Sequence, residues 1–270
     1  MFKLNHIITL LMISLFLSSS DNIFAKKVST FKSTTISVMS YNLLYSSKKN
    51  SASITQIKKQ NPDIICLTEL TPLFIRQVNK QLGKRYPYRA VYPKRGTWGV
   101  GIISKYPITK KSLYPIHPHR IPGSSAVVTI HKKKLLFACV HLFPPAGKHR
   151  KNDSLVATFQ KNRKLRLEQA KFLWKKFLYW KGPVILVGDM NEDRDDQAVK
   201  FLRNKGYNHA CEKVSFNQCG ATYPAANRFL PAVVEIDHIL GKGVVFIKAK
   251  VIKQGGSDHY PISATFTLNN

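Results

Sequence analysis

The chain has 270 residues, enough for one large α/β domain, and its 44% hydrophobic and 21% charged composition is that of an ordinary globular protein. There is no low-complexity tract and no internal repeat of roughly 20 to 50 residues, which excludes disordered, fibrous and solenoid classes. Forty-three Lys and Arg against fourteen Asp and Glu give +29 at pH 7. That excess attracts polyanions such as nucleic acid or an anionic surface, although lysines spread along the chain also fit plain solubility.

Residues 1–25 read as a signal peptide. Lys3 supplies a positive start, Ile7 to Leu17 is an apolar run, Ser18-Ser19-Ser20 breaks it, and Ala25 is a small residue suited to cleavage before Lys26. The run is short for a membrane span, and an uncleaved anchor is the alternative. The implied location is secreted or periplasmic. Removing this segment takes one base, Lys3, and one acid, Asp21, so the remainder keeps +29. No composition break divides residues 26–270, which are expected to form one domain.

Strands are expected over Ile36 to Leu43 and Asp63 to Thr68, with a helix around Ser53 to Lys59 between them and a second after Pro72. Gly99 to Ser104, Ala126 to His131 and Lys134 to His141 read as further strands. Asn162 to Trp180 is the clearest helix, with Leu165, Gln169, Phe172, Leu173, Lys176 and Phe177 at helical spacing and Gly182-Pro183 stopping it. A buried strand, Val184 to Val187, runs into Gly188-Asp189. A short helix near Asp195 to Asn204 precedes β-like segments Val233 to Leu240, Val244 to Lys250 and Tyr260 to Leu268. Helical crossovers mixed with hairpins predict two mixed sheets packed face to face, with helices outside.

The four cysteines contain no C-x-x-C, so they are not a zinc set. Cys66 and Cys139 lie in apolar strands and read as core packing. Cys211 and Cys219 flank a polar loop and could pair in an oxidising compartment.

With so few acids in so basic a chain, their placement is informative. Glu69, Asp189, Asp237 and Asp258 all stand at the ends of apolar segments, where they can converge on the rim of a sheet. A carboxylate cluster with amide oxygens suits Mg²⁺. Asn42 ends the first strand, Asn191 follows Asp189, and His141 and His259 add imidazoles that titrate near neutrality. Each alone is weak, since a strand-end Asp is more often a turn former. Their order along the chain carries the reading.

The segments Ser40-Tyr41-Asn42-Leu43-Leu44, Leu67-Thr68-Glu69-Leu70, Gly99-Val100-Gly101-Ile102-Ile103-Ser104, Val140-His141-Leu142, Gly188-Asp189-Met190-Asn191, Ile236-Asp237-His238-Ile239-Leu240 and Gly256-Ser257-Asp258-His259-Tyr260-Pro261-Ile262 resemble, in that order, the endonuclease/exonuclease/phosphatase superfamily, across roughly residues 35–268. The resemblance implies a DNase I-like four-layer α/β sandwich and metal-dependent phosphoester hydrolysis. It places Asn42, Glu69 and Asp258 at a divalent metal, Mg²⁺ with Mn²⁺ or Ca²⁺ as alternatives. It gives Asp189 and Asn191 the attacking water and the phosphate, makes His259 a phosphate contact or base oriented by Asp237, and has His141 protonate the leaving oxygen. His238 reads as secondary. His117, His119, His131, His149 and His209 match no motif position and read as surface residues.

The motifs leave the substrate open. A nuclease acting on DNA or RNA is the first reading, with Arg120, Lys148, Arg150, Lys151 and Arg228 on loops near the motif ends as candidate phosphate contacts. A phospholipid (sphingomyelinase-like) or sugar-phosphate phosphodiesterase is the second, kept open by the apolar Thr222-Tyr223-Pro224-Ala225 and Phe229-Leu230-Pro231. A non-catalytic polyanion-binding protein is the third. No obligate protein partner is implied, and a monomer is expected.

Overall fold

The first apolar run forms β1 (Thr35–Asn42), which crosses through helix α1 (Asn50–Gln60) into a parallel neighbour, β2 (Ile64–Thr68). Asn61 ends α1 by turning left-handed at φ 48° and returning its N–H to Ile57 O, and Pro62 prevents continuation. Thr71 caps α2 (Pro72–Leu82) by accepting from Phe74 N–H, with Pro72 where the helix lacks a partner anyway. Then come β3 (Tyr88–Tyr92), β4 (Val100–Ser104), β5 (Ile108–Leu113), β6 (Gly123–Ile130), β7 (Lys133–His141), α3 (Leu155–Phe177), β8 (Val184–Asp189), α4 (Gln197–Asn204), β9 (Asn208–His209), β10 (Phe216–Gln218), β11 (Asp237–Lys242), β12 (Val244–Val251) and β13 (Ile262–Leu268).

This computed structural model describes residues 35–114, 123–147, 154–214, 216–225 and 231–268. The expected signal segment, the basic loop positions Arg120, Lys148, Arg150, Lys151 and Arg228, the histidines His117, His119 and His149, and Phe229-Leu230 lie outside the described residues.

The strands form two mixed sheets, one ordered β10-β12-β13-β1-β2-β4-β3 and the other β5-β6-β7-β8-β11-β9. Ile36, Val38, Ile64 and Ile102 from the first pack against Phe137, Ile185, Val187 and Ile239 from the second. The opposite faces are covered by helices. Met39, Tyr41 and Leu67 meet Ile54 and Phe74 of α1 and α2, while Val140 and Leu186 meet Leu173, Phe177 and Leu202 of α3 and α4. Strands buried on both faces need continuous apolar sequence rather than alternation, which is why β2, β4, β7 and β8 read so plainly. The expected four layers are present.

Several elements differ from the expectation. β3, β5, β9 and β10 are additional strands; the pattern of β5 is mostly exposed, without an apolar run to mark it. Val233–Ile236 lies outside β11, so Asp237 opens a strand instead of ending one. Because β11 is antiparallel to β8, its start still falls on the same rim. Helix α3 begins at Leu155, capped by Ser154, and its Lys176 faces solvent. Its inward stripe is partly polar: Thr158, Asn162, Arg166 and Gln169 come first, and Ala170, Leu173 and Phe177 follow.

Cys66 and Cys139 do more than pack. They form a disulfide joining β2 to β7, and so one sheet to the other, at the core plane where the two strands face each other. Cys211 pairs with Cys219. A bridge closing 73 residues removes chain entropy from the unfolded state worth on the order of 4 kcal/mol.

His209 is not a surface residue; it is 1% exposed. Cys211 N–H donates to its Nδ1, so its Nε2 carries the hydrogen and donates to His238 Nδ1 at 2.9 Å, and His238 Nε2 in turn donates to Glu192 O at 2.7 Å. The tautomer of each ring is thereby fixed, and a proton added to His209 Nδ1 breaks the chain. Burial first, then the neighbouring imidazole, pushes the His209 pKa down to about 2. Below about pH 6.5 the unfolded chain takes up a proton that the folded one refuses, so stability falls as pH falls. Urea unfolding between about pH 6 and about pH 4 should show a steeper loss in the wild type than in His209→Gln, by about 1.4 kcal/mol per pH unit. Equal slopes would contradict the neutral chain.

Candidate active site

Both sheets deliver their functional residues to one rim. In the second sheet, β7 and β8 run parallel with His141 beside Asp189, and β11 runs back with Asp237 on the other side of Asp189, so three side chains stand abreast at one level. In the first sheet, Asn42 pairs with Thr68 at the ends of β1 and β2, placing Glu69 next in line. Asp258 and His259 precede β13, which is antiparallel to β1 and so starts where β1 ends.

Asp189 is the meeting point. Its Oδ2 accepts from Asn42 Nδ2 at 2.9 Å and lies 3.5 Å from His141 Nε2 and 3.8 Å from His259 Nε2. Its Oδ1 accepts the Asn191 N–H at 2.9 Å, with Asn191 held in the left-handed region at φ 52°. Burial pushes the Asp189 carboxyl up, while the His259 imidazolium pulls the other way.

His259 Nδ1 donates to Asp237 Oδ2 at 2.8 Å. Burial alone would push this imidazole down, but the carboxylates of Asp237 and Asp189 outweigh it and hold the pKa at about 10. Asp237 has no solvent exposure, and its Oδ1 has no hydrogen-bond partner among the described residues, so the imidazolium is the main answer to its charge. Ligand atoms of Asp189, Asp237 and His259 lie within 4.8 Å of one another. That trio is a hydrogen-bonded relay rather than a cation site, because the Nδ1 proton already occupies the space between Asp237 and the ring. A second grouping, His209, Cys211 and Glu235, is excluded as well, since the Cys211 sulfur is in a disulfide.

His141 stands apart from that relay. Its Nδ1 is 3.2 Å from Thr97 O, an atom that can only accept, so Nδ1 carries the hydrogen and Nε2 is the nitrogen nearest Asp189. Glu69 sits in the left-handed region at φ 54° and its Oε2 accepts the Tyr45 N–H at 2.9 Å. Asn42 Oδ1 accepts the Leu44 N–H, which turns its amide nitrogen toward Glu69 at 3.3 Å and Asp189. In this geometry Asn42 donates to the carboxylates and its Oδ1 is turned to Leu44 N–H instead of toward a cation. Asn191 donates one amide hydrogen to Leu142 O.

A cavity of about 570 Å³ opens on these groups, lined by Glu69, His141, Asp189, Asn191, Asp258 and His259. Asn42 and Asp237 sit behind that lining. Sequence reasoning missed three contributors. Tyr223 places its ring 4.7 Å from that of His259, and its hydroxyl is pushed up by burial and by Asp258, Asp189 and Glu69. Thr222 Oγ1 accepts the Asp237 N–H. Thr97 acts through its carbonyl, which leaves no mark in sequence, whereas the Thr222-Tyr223 pair upstream of the Asp237 motif was a legible signal for an aromatic wall.

Comparison with known proteins gives a family and a fold. The model of the Endonuclease/Exonuclease/phosphatase family matches residues 39–259. An endonuclease/exonuclease/phosphatase family protein from Bacteroides thetaiotaomicron superposes with a TM-score of 0.71 at 16% identity, covering 89% of this chain and 100% of that one. TDP2 of D. rerio, complexed with a single-strand DNA product, gives 0.67 at 20% identity over 87% and 99% of the two chains. Sphingomyelinase C from Streptomyces griseocarneus gives 0.63 at 15% over 87% and 100%. At such identities these structures share the fold. No curated protein sequence matches the chain.

The rim depends on one close approach. At Gly188 (φ +148°) a Cβ would lie 1.8 Å from Val140 O, the backbone of the adjacent strand. Only glycine lets β8 run this near β7 and bring Asp189 level with His141. Gly188→Ala should therefore cost about 3 kcal/mol or more in urea unfolding; a loss under about 1 kcal/mol would show that the strands can part without harm.

Proposed function

The chain belongs to the endonuclease/exonuclease/phosphatase family and is a phosphoester hydrolase of that family, and on that premise we propose that it is an exported nuclease that uses a divalent cation, Mg²⁺ first, to hydrolyse DNA or RNA. The observation that carries the cation is the sign of the cavity. Glu69, Asp189, Glu192, Asp193, Asp196 and Asp258 line it, and the charge of its one described arginine, Arg166, is taken up by Glu192 at 2.8 Å. A phosphodiester anion entering such a cavity meets net negative charge. The donors are hard carboxylate oxygens, a set that fits Mg²⁺.

Glu69 and Asp258 would hold the cation. Asn42, which the motif resemblance places with them, is better described as the donor that fixes Glu69 and Asp189. Bound there, the cation would polarise the phosphate and neutralise charge gathering in the transition state. Asp189, anchored by Asn42 and the Asn191 N–H, orients the attacking water. Asn191 brings the second hydrogen of its amide to the phosphate. His259, held at Nδ1 by Asp237, offers Nε2 to a phosphoryl oxygen. His141, held at Nδ1 by Thr97, has Nε2 to pass a proton to the leaving oxygen.

The nucleic-acid substrate is supported by the +29 charge and by a relative of the same fold that is complexed with a single-strand DNA product. Export is supported by the apolar N-terminal segment and by the pairing of all four cysteines, since disulfides persist in oxidising compartments. The test is hydrolysis of DNA, RNA and sphingomyelin with and without EDTA, across a salt series. Nucleic acid should be cut, EDTA should stop it, rates should fall steeply with salt, and His259→Ala should lose at least about 10²-fold in kcat. Turnover of sphingomyelin alone would replace the substrate, and no EDTA-sensitive turnover at all would favour a binding protein.

A further inference from the structure

The cavity is larger than a phosphate needs, and much of its wall is carbon, from Trp98, Pro144, Pro145, Ala146, Tyr223 and Ile236. Trp98 is the largest flat surface among these. Its indole stacks on Phe143, with ring centroids 5.9 Å apart and planes 29° apart, and lies 6.1 Å from the His141 ring. The Phe143 ring is buried, so the indole rests on a fixed backing.

That backing is itself held by the unexpected polar stripe of α3. Gln169 Oε1 accepts the Phe143 N–H at 3.0 Å, and Arg166 Nη1 donates to Phe143 O at 3.0 Å. Asn162 Nδ2 donates to the carbonyls of Pro144, Pro145 and Gly147. Three buried polar side chains are costly in a helix that packs on a core. Here they fix the backbone of one cavity wall, which places a rigid aromatic face beside the histidine nearest the leaving group.

Resting on the nuclease reading, we propose that Trp98 is a stacking platform for a nucleobase next to the scissile phosphate, and that it sets a preference for single-stranded nucleic acid. Every base has a π-face, so such a platform binds without reading sequence. In a duplex those faces are covered by neighbouring bases, so only an unpaired or frayed strand can use it. An alkyl chain would gain little from a flat indole over any other apolar wall, whereas a base gains the offset-stacked geometry that aromatic pairs prefer.

The test compares short single-stranded oligonucleotides carrying one cleavable phosphodiester, flanked either by bases or by tetrahydrofuran abasic residues. KM is measured for wild type, Trp98→Ala and Trp98→Phe. Wild type should favour the base-flanked substrate by about 10- to 100-fold in KM. Trp98→Ala should bring that ratio to about 1, and Trp98→Phe should keep part of it. A purely structural effect of removing the indole, such as misplacement of His141, would lower turnover on both substrates and leave the ratio intact, which would overturn the proposal. A wild-type ratio near 1 would overturn it too, as sugar contacts would explain binding. Cleavage of neither oligonucleotide while bis(p-nitrophenyl) phosphate is hydrolysed would instead sink the nuclease reading and this inference with it.

Discussion

A single buried carboxylate, Asp189, joins the rims of the two sheets. It ends β8, yet through Asn42 it is hydrogen-bonded to the end of β1 in the opposite sheet, and it faces imidazoles from both. Burying a carboxylate costs several kcal/mol unless partners answer it. Here an amide donor, a backbone N–H and two histidines do so, and each partner can reach it only if its own strand ends at the same level. The strand register, the glycine at position 188 and the inter-sheet disulfide all serve that one coincidence. Moving any strand by one residue would turn its rim side chain to the other face.

Charge is distributed in opposition to that rim. The chain is strongly basic, while the cavity at the rim is lined by carboxylates. A basic exterior gathers polyanions over long range, and an acidic pocket then rejects the phosphate unless a divalent cation is present. On the proposed function, attraction and chemistry fall to different parts of the molecule.

The layers of the fold were legible because strands buried on both faces must be apolar throughout, and because an acid, amide or imidazole interrupts each run where it reaches the rim. That is how Asn42, Glu69, His141 and Asp189 stood out. Asp237 was found for an imperfect reason, since it begins its strand, and antiparallel pairing returned it to the right level. What stayed hidden has physical causes. The pairing of Cys66 with Cys139 depends on two strands facing each other across the core, which no spacing reveals. The start of α3 was obscured because its first turns put Leu155, Val156 and Phe159 toward solvent and Thr158 inward, the reverse of the expected periodicity. His209 looked like a surface residue because a neutral histidine chain needs two partners, one of them only a backbone carbonyl. Thr97 likewise contributes through its backbone.

The converged rim carboxylates, Glu69 with Asp258, form the proposed divalent cation site. Calorimetric titration of the folded protein with Mg²⁺ tests it without any substrate. Binding should be saturable in the wild type and lost in Glu69→Gln and in Asp258→Asn, with the thermal unfolding midpoint of each cation-free variant unchanged or raised because like charges have been relieved. Binding of equal affinity in wild type and both variants, or no binding to the wild type, would contradict it.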